Sequence, residues 1–172
     1  MPYDPDLHHR RSIRLPGYDY RAHGAYFITL VSVDRDCLFG SIVDGAVTLS
    51  PFGNVVDETW QWMSRQYPYL DLGEWVVMPN HFHAILWINE LTATAGKLKI
   101  KPLGSLVGAF KTVTTKQINT LRGSSTHTIW QRNYYEHIIR DDHAFEIIRN
   151  YIMTNPEQWE KDPENPLRAG QE

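Results

Sequence analysis

Val76-Val77-Met78-Pro79-Asn80-His81-Phe82-His83-Ala84-Ile85-Leu86-Trp87-Ile88 reads as two β-strands meeting at a Pro-Asn break. Side chains alternate faces along a strand, so His81 and His83 share one face while Phe82 enters the opposite layer. The break sets the pair at the start of a strand, near a sheet end that ligands can reach. Two imidazoles on one face can serve a single metal ion. A hydrogen-bonded pair without a metal fits this stretch equally well, so the choice depends on what else the chain brings to the same face.

Working outward, Ala25 to Val33 is β-branched and aromatic and predicts a central strand. Asp44-Gly45 between Ile42-Val43 and Ala46–Leu49 predicts a short hairpin. Ser50 and Pro51 open a helix as N-cap and first helical residue, and Phe52, Val55, Val56, Trp60 and Met63 keep helical spacing. Leu72 to Met78 and His81 to Ile88 are the next strands, and Leu103 to Thr120 is a second amphipathic helix. Ile129-Trp130 with Tyr134 to Ile139 form a last strand region. Asp141 or Asp142 caps a third helix that Asn155-Pro156 terminates. The order is βαββαβ with one added helix. That predicts an α+β, ferredoxin-like fold: an antiparallel sheet, two helices on one face, and an appended C-terminal helix partly covering the other.

A chain of 172 residues is one domain by length, with 42% hydrophobic and 22% charged residues, the balance of a soluble protein. The single cysteine, Cys37, allows no internal disulfide and suits a reducing compartment. No signal-peptide pattern or membrane-length apolar run is present, so a cytoplasmic protein is expected. The net charge of −3 hides segregation. Residues 91–140 carry eight lysines and arginines against one acid, Glu136, and the first two dozen residues hold Arg10, Arg11, Arg14 and Arg21. Acids gather near the C-terminus. A basic face can therefore coexist with an acidic total, as can a merely solvated surface. The organisation read from this pattern is a basic irregular arm over 1–24, a single folded domain over 25–156 and an acidic tail over 157–172.

Tyr151 and Asn155 are i and i+4 in the third helix and so project from one face, a turn apart. If that face lies over His81 and His83, the Asn155 amide oxygen completes a two-nitrogen, one-oxygen site. Such a set suits Mg²⁺ or Mn²⁺, with Tyr151 as the adjacent nucleophile. Tyr134 and Tyr135 are competing tyrosines, and a core tyrosine with a helix-stopping Asn-Pro explains the helix equally.

Met78-Pro79-Asn80-His81-Phe82-His83, Trp130 to Arg140 and Tyr151-Ile152-Met153-Thr154-Asn155-Pro156 resemble, in order and spacing, the three blocks of the REP-associated tyrosine transposases. These are single-tyrosine HUH nucleases related to the transposases of the smallest insertion sequences. The resemblance runs from about Arg10 to Pro156, and it includes the opening Arg-Arg-Ser-Ile-Arg-Leu-Pro-Gly-Tyr arm. It implies a metal on His81, His83 and Asn155 and a 5′-phosphotyrosine intermediate on Tyr151. The implied reaction cleaves and rejoins single-stranded DNA beside hairpins. It implies hairpin contacts from Arg10, Arg11, Arg14, Lys97, Lys99, Lys101 and Lys111. Arg132 with Trp130 and Tyr134 suits phosphate contact with base stacking. The expected state is a monomer, with a homodimer sharing tyrosine helices as the alternative, and the expected location is with the nucleoid. A hairpin-binding module without catalysis and a metal-dependent phosphodiester hydrolase are the rival readings, because this fold hosts many functions.

Overall fold

Tyr26, Ile28 and Leu30 alternate with Phe27, Thr29 and Val31 along β1 (Gly24–Val31), so this strand supplies both layers of the protein at once. The computed structural model describes residues 19, 23–90, 98–124 and 126–166. Arg10, Arg11, Arg14 and Lys97 lie outside the described residues. After β1 come a 3-10 turn (Val33–Arg35), a separate hairpin of β2 (Gly40–Val43) and β3 (Ala46–Leu49), and α1 (Pro51–Gln66). β4 (Leu70–Val77), β5 (His81–Ile88), α2 (Leu103–Arg122), β6 (Tyr135–Ile139) and α3 (Asp142–Thr154) follow. Among the described residues no helix is long and apolar enough to cross a membrane.

The four long strands form an antiparallel sheet in the order β4-β5-β1-β6. β1 and β4 flank β5, and β5 and β6 flank β1. The chain thus builds two interleaved split β-α-β units from the βαββαβ order. β2 and β3 pair only with each other. Asp44 and Gly45 both take positive φ, 50° and 75°, the backbone a two-residue type I′ turn requires.

On one sheet face Tyr26, Ile28, Leu30, Phe82, Leu86 and Ile88 pack with Val56, Trp60 and Met63 of α1 and Leu106, Val107 and Phe110 of α2. On the other, Phe27, Ile85 and Ile139 pack with Ile152, and Phe145 and Ile148 of α3 lean against them. Burying an Ile such as Ile152 is worth about 1.5–3 kcal/mol, so this smaller cluster fixes how α3 lies on the sheet. Caps set both helix starts: Ser50 accepts from the Gly53 N–H, and Asp141 from the Ala144 N–H. Gly53 is needed for another reason, because a Cβ there would lie 2.0 Å from the Phe39 carbonyl oxygen.

One local expectation changes. The last strand is shorter than the sequence suggests: Trp130 makes only an isolated bridge to Ser32, and regular pairing begins at Tyr135. The intervening carbonyls of Gln131, Arg132 and Asn133 accept from the Lys111 ammonium instead. At Asn155-Pro156 the α-helix stops after Thr154, as expected, and a 3-10 turn follows it directly. Asn155 stays in the right-handed helical region, and Pro156 leads a 3-10 turn (Pro156–Lys161) that carries the acidic stretch back onto the sheet.

Candidate active site

The Pro79-Asn80 break is a tight turn in which Met78 N–H donates to the His81 carbonyl at 2.8 Å. It delivers His81 and His83 to the α3 face, where both are buried and their rings lie 4.6 Å apart. α3 is anchored by Ile148 and Ile152, which turns Tyr151 and Asn155 onto the pair. Tyr151 Oη is 3.4 Å from His83 Nε2, and Asn155 Oδ1 is 3.4 Å from His81 Nε2. The i, i+4 spacing thus matches the His-x-His spacing, one helical residue to each histidine. The expected juxtaposition is present within one chain.

A fifth side chain joins them. The 3-10 turn brings Asp162 Oδ2 to 3.7 Å from His81 Nε2, and one donor atom each of His81, His83 and Asp162 lies within 4.8 Å of the others. Asp162 is buried, and its Oδ1 accepts from the Glu164 N–H at 2.7 Å. His83 Nδ1 lies 2.7 Å from Thr29 Oγ1 on the neighbouring strand.

Burial holds the His83 imidazole well below its usual pKa, and the adjacent His81 adds to this. Burial also lowers His81, although Asp162 pulls the other way. Both rings are therefore neutral at pH 7, the form that ligates a metal. Two neutral imidazoles, an amide oxygen and a carboxylate make a donor set that fits a divalent cation. A carboxylate buried among neutral groups is costly unless a positive charge offsets it. The His81, His83 and Asp162 group can hold a metal ion. Burial, then Asp162, raises the Tyr151 hydroxyl above its ordinary range, so the phenol stays protonated until something draws its proton away. Tyr151 as a whole remains 43% exposed.

The basic and aromatic candidates are placed unevenly. Lys99, Lys101 and Arg132 are exposed, with the Lys101 ammonium 5.3 Å over the Tyr67 ring. Trp130 offers no face to a base: it is 4% exposed, packed between Phe39 and Phe110, and its Nε1–H donates to Thr114 Oγ1 at 2.8 Å. The large ring fills the end of the core, which overrides the stacking role read from its neighbours. Lys111 turns inward to the loop carbonyls, and Tyr134 is half-buried beneath its ammonium. Tyr135 instead stands exposed on the Tyr151 side of the sheet, its ring 6.1 Å from that of Phe27.

Sequence reasoning missed Asp162, Asn80 and Thr29. The Asp162-Pro163-Glu164-Asn165-Pro166 run carries a turn signal but nothing to say where the turn lands.

No family model matches the chain. An uncharacterized Haemophilus influenzae protein is 40% identical over 173 residues, spanning 93% of this chain and 95% of its own. A second protein of that organism, provisionally named a REP-associated tyrosine transposase, is 25% identical over 139 residues, 80% of this chain and 73% of its own. The solved structure of a REP-associated tyrosine transposase bound to a REP hairpin shares the fold. Its TM-score is 0.61 at 21% identity, covering 87% of this chain and 74% of that one. What this chain sets on that fold is a four-stranded antiparallel sheet with a His-x-His strand under the helix that carries Tyr151. The chain is thus similar to a REP-associated tyrosine transposase in sequence and to another in fold.

Proposed function

We propose that the protein cleaves and rejoins single-stranded DNA beside hairpins, with Tyr151 as the nucleophile. The observation that carries this reading is the placement of Tyr151 Oη, 3.4 Å from His83 Nε2, beside the buried donors Asn155 and Asp162. His81, His83 and Asn155, with Asp162 beside them, would hold Mg²⁺ or Mn²⁺, which when bound supplies a Lewis acid for a non-bridging phosphate oxygen.

Tyr151 Oη attacks phosphorus, a tyrosine–phosphorus bond forms, and the bond to the 3′-oxygen breaks to leave a 3′-hydroxyl. The phenolic proton passes to solvent, which reaches the half-exposed Tyr151. Because the phosphodiester is kept as a 5′-phosphotyrosine, a second 3′-hydroxyl can reverse the step and rejoin strands. Attack from a helix face favours an unstacked strand over duplex. Tyr151 meets His83 of its own chain, so one chain carries a complete site, and the reading is of a monomer acting in cis, in the cytoplasm with the chromosome.

A groove of about 720 Å³ between α2 and the segment 126–132 is lined by Lys111, Lys116, His127 and Arg132 and by threonine hydroxyls, and among the described residues no carboxylate lines it. Ser32 bridges Trp130 at this end of the sheet, next to the Val31–His81 pair. DNA phosphates lying in the groove would therefore approach the same sheet end as the histidines.

A denaturing gel of the protein with end-labelled hairpin-bearing single-stranded DNA and Mn²⁺ tests the reading. A metal-dependent covalent adduct that Tyr151→Phe abolishes supports it. Cleavage with no adduct points to a hydrolase, and binding with neither points to a hairpin-binding module.

A further inference from the structure

Asn80 is fully buried and uses both ends of its amide. Its Nδ2 donates to the carbonyls of Arg35 at 3.0 Å and Glu164 at 2.7 Å. Its Oδ1 therefore faces His81 and lies 2.9 Å from Nδ1. An acceptor at that place puts the ring proton on Nδ1 and leaves the lone pair on Nε2. Nε2 is the nitrogen that Asn155 Oδ1 and Asp162 Oδ2 approach.

The same amide reaches Asp162 by a second route. The Glu164 carbonyl rests on Asn80, while the Glu164 N–H donates to Asp162 Oδ1. With Oδ1 engaged, Oδ2 is the atom presented to His81. Arg35 closes the loop, its guanidinium Nε lying 2.9 Å from Glu164 Oε2. Asp34 and Arg35 both take left-handed angles, φ 54° and 58°, that residues other than glycine rarely adopt. Strain of this kind persists where surrounding contacts over-determine it, often beside a functional site.

We propose that Asn80 is a positioning residue for the metal site, orienting His81 directly and Asp162 through Glu164. The inference rests on the metal reading of the proposed function. One amide thereby ties together two donors, His81 and Asp162, that stand far apart in the chain, and outer partners of this kind are what hold ligand geometry.

The test is Mn²⁺ binding to the full chain by titration calorimetry, for wild type, Asn80→Ala and Asn80→Asp. Two-bond ¹H–¹⁵N spectra of the imidazoles and thermal melts accompany it. Asn80→Ala is expected to weaken Mn²⁺ about 10- to 100-fold and to give His81 mixed tautomers. Asn80→Asp keeps an acceptor at His81 Nδ1 but loses the donor to Glu164. It should keep the tautomer and still lose Mn²⁺ affinity, which decides the matter if Asn80→Ala does not fold. Folded variants that bind Mn²⁺ like wild type would overturn the inference and leave the metal site standing. A wild-type chain that binds no Mn²⁺ would overturn both.

Discussion

Tyr151 and Asn155 divide the histidine pair between them: the phenol oxygen stands 3.4 Å from His83 Nε2 and the amide oxygen 3.4 Å from His81 Nε2. One helical turn on α3 is thereby matched to two residues on β5, placing the proposed nucleophile and a proposed ligand in adjacent positions. Tyr151→Phe should remove the covalent DNA adduct while changing DNA affinity by less than about threefold, or ~0.6 kcal/mol. Tyr135 lies on the same sheet side and is also exposed, so Tyr135→Phe is the control. A denaturing gel showing the adduct retained in Tyr151→Phe and lost in Tyr135→Phe would move the nucleophile.

Asp162 gives the site a negative charge that Asn155 does not. Asp162→Asn keeps the size and a hydrogen-bond acceptor but removes that charge. If the carboxylate helps to hold the cation, half-maximal adduct formation should need on the order of tenfold more Mn²⁺, with the maximal extent little changed. Chelator added to wild type should stop adduct formation altogether. An unchanged Mn²⁺ requirement in Asp162→Asn would leave Asn155 as the sole oxygen donor from the protein.

The shared face of His81 with His83, and that of Tyr151 with Asn155, was legible from the sequence because period 2 and period 3.6 are local rules, and each pair obeys one of them. The βαββαβ order was legible for the same reason. Asp162 was not, because its position depends on Asn155 remaining helical ahead of Pro156, against the usual bias of a residue before proline. The role of Trp130 could not be settled from sequence because an aromatic beside Gln-Arg looks the same whether it faces DNA or fills a core end. Only the third dimension supplies Phe39, Phe110 and Thr114 as its partners.

Trp130 consequently tests stability rather than binding. Trp130→Phe preserves an aromatic ring but deletes the Nε1–H bond to Thr114, leaving a buried hydroxyl short of one partner. A loss of about 1–3 kcal/mol is expected in denaturant titrations. Affinity for hairpin DNA, measured well below the melting temperature, should stay within about twofold, or ~0.4 kcal/mol. A large affinity loss at unchanged stability would return Trp130 to the DNA surface.

Lys111 carries a pH signature. Burial pushes its ammonium from 10.5 down to about 8, against the pull of three carbonyls that accept from the charged form. Between about pH 8 and 10.5 the unfolded chain binds more protons at this residue than the folded one. Its contribution to stability therefore rises with pH across that window and is least favourable below it. Lys111→Met cannot titrate, so wild type should gain stability relative to the variant as pH rises from 7.5 to about 10. Parallel stability curves from urea titrations would show that the ammonium keeps its ordinary pKa.

The groove lined by Lys116 and Arg132 makes a quantitative claim about salt. Removing one cation that neutralises a phosphate should flatten the plot of log affinity against log salt by about 0.7 for single-stranded DNA and about 0.9 for duplex. Lys116→Ala with Arg132→Ala, both exposed in the free protein, should thus reduce the slope by about 1.4–1.8 and weaken binding at low salt. Tyr151→Phe removes no charge and should leave the slope as it was. Fluorescence anisotropy of a labelled hairpin oligonucleotide, read across a series of salt concentrations, reports both effects. An unchanged slope in the double variant would place the phosphate backbone elsewhere, because counterion release counts charges whether or not they read bases.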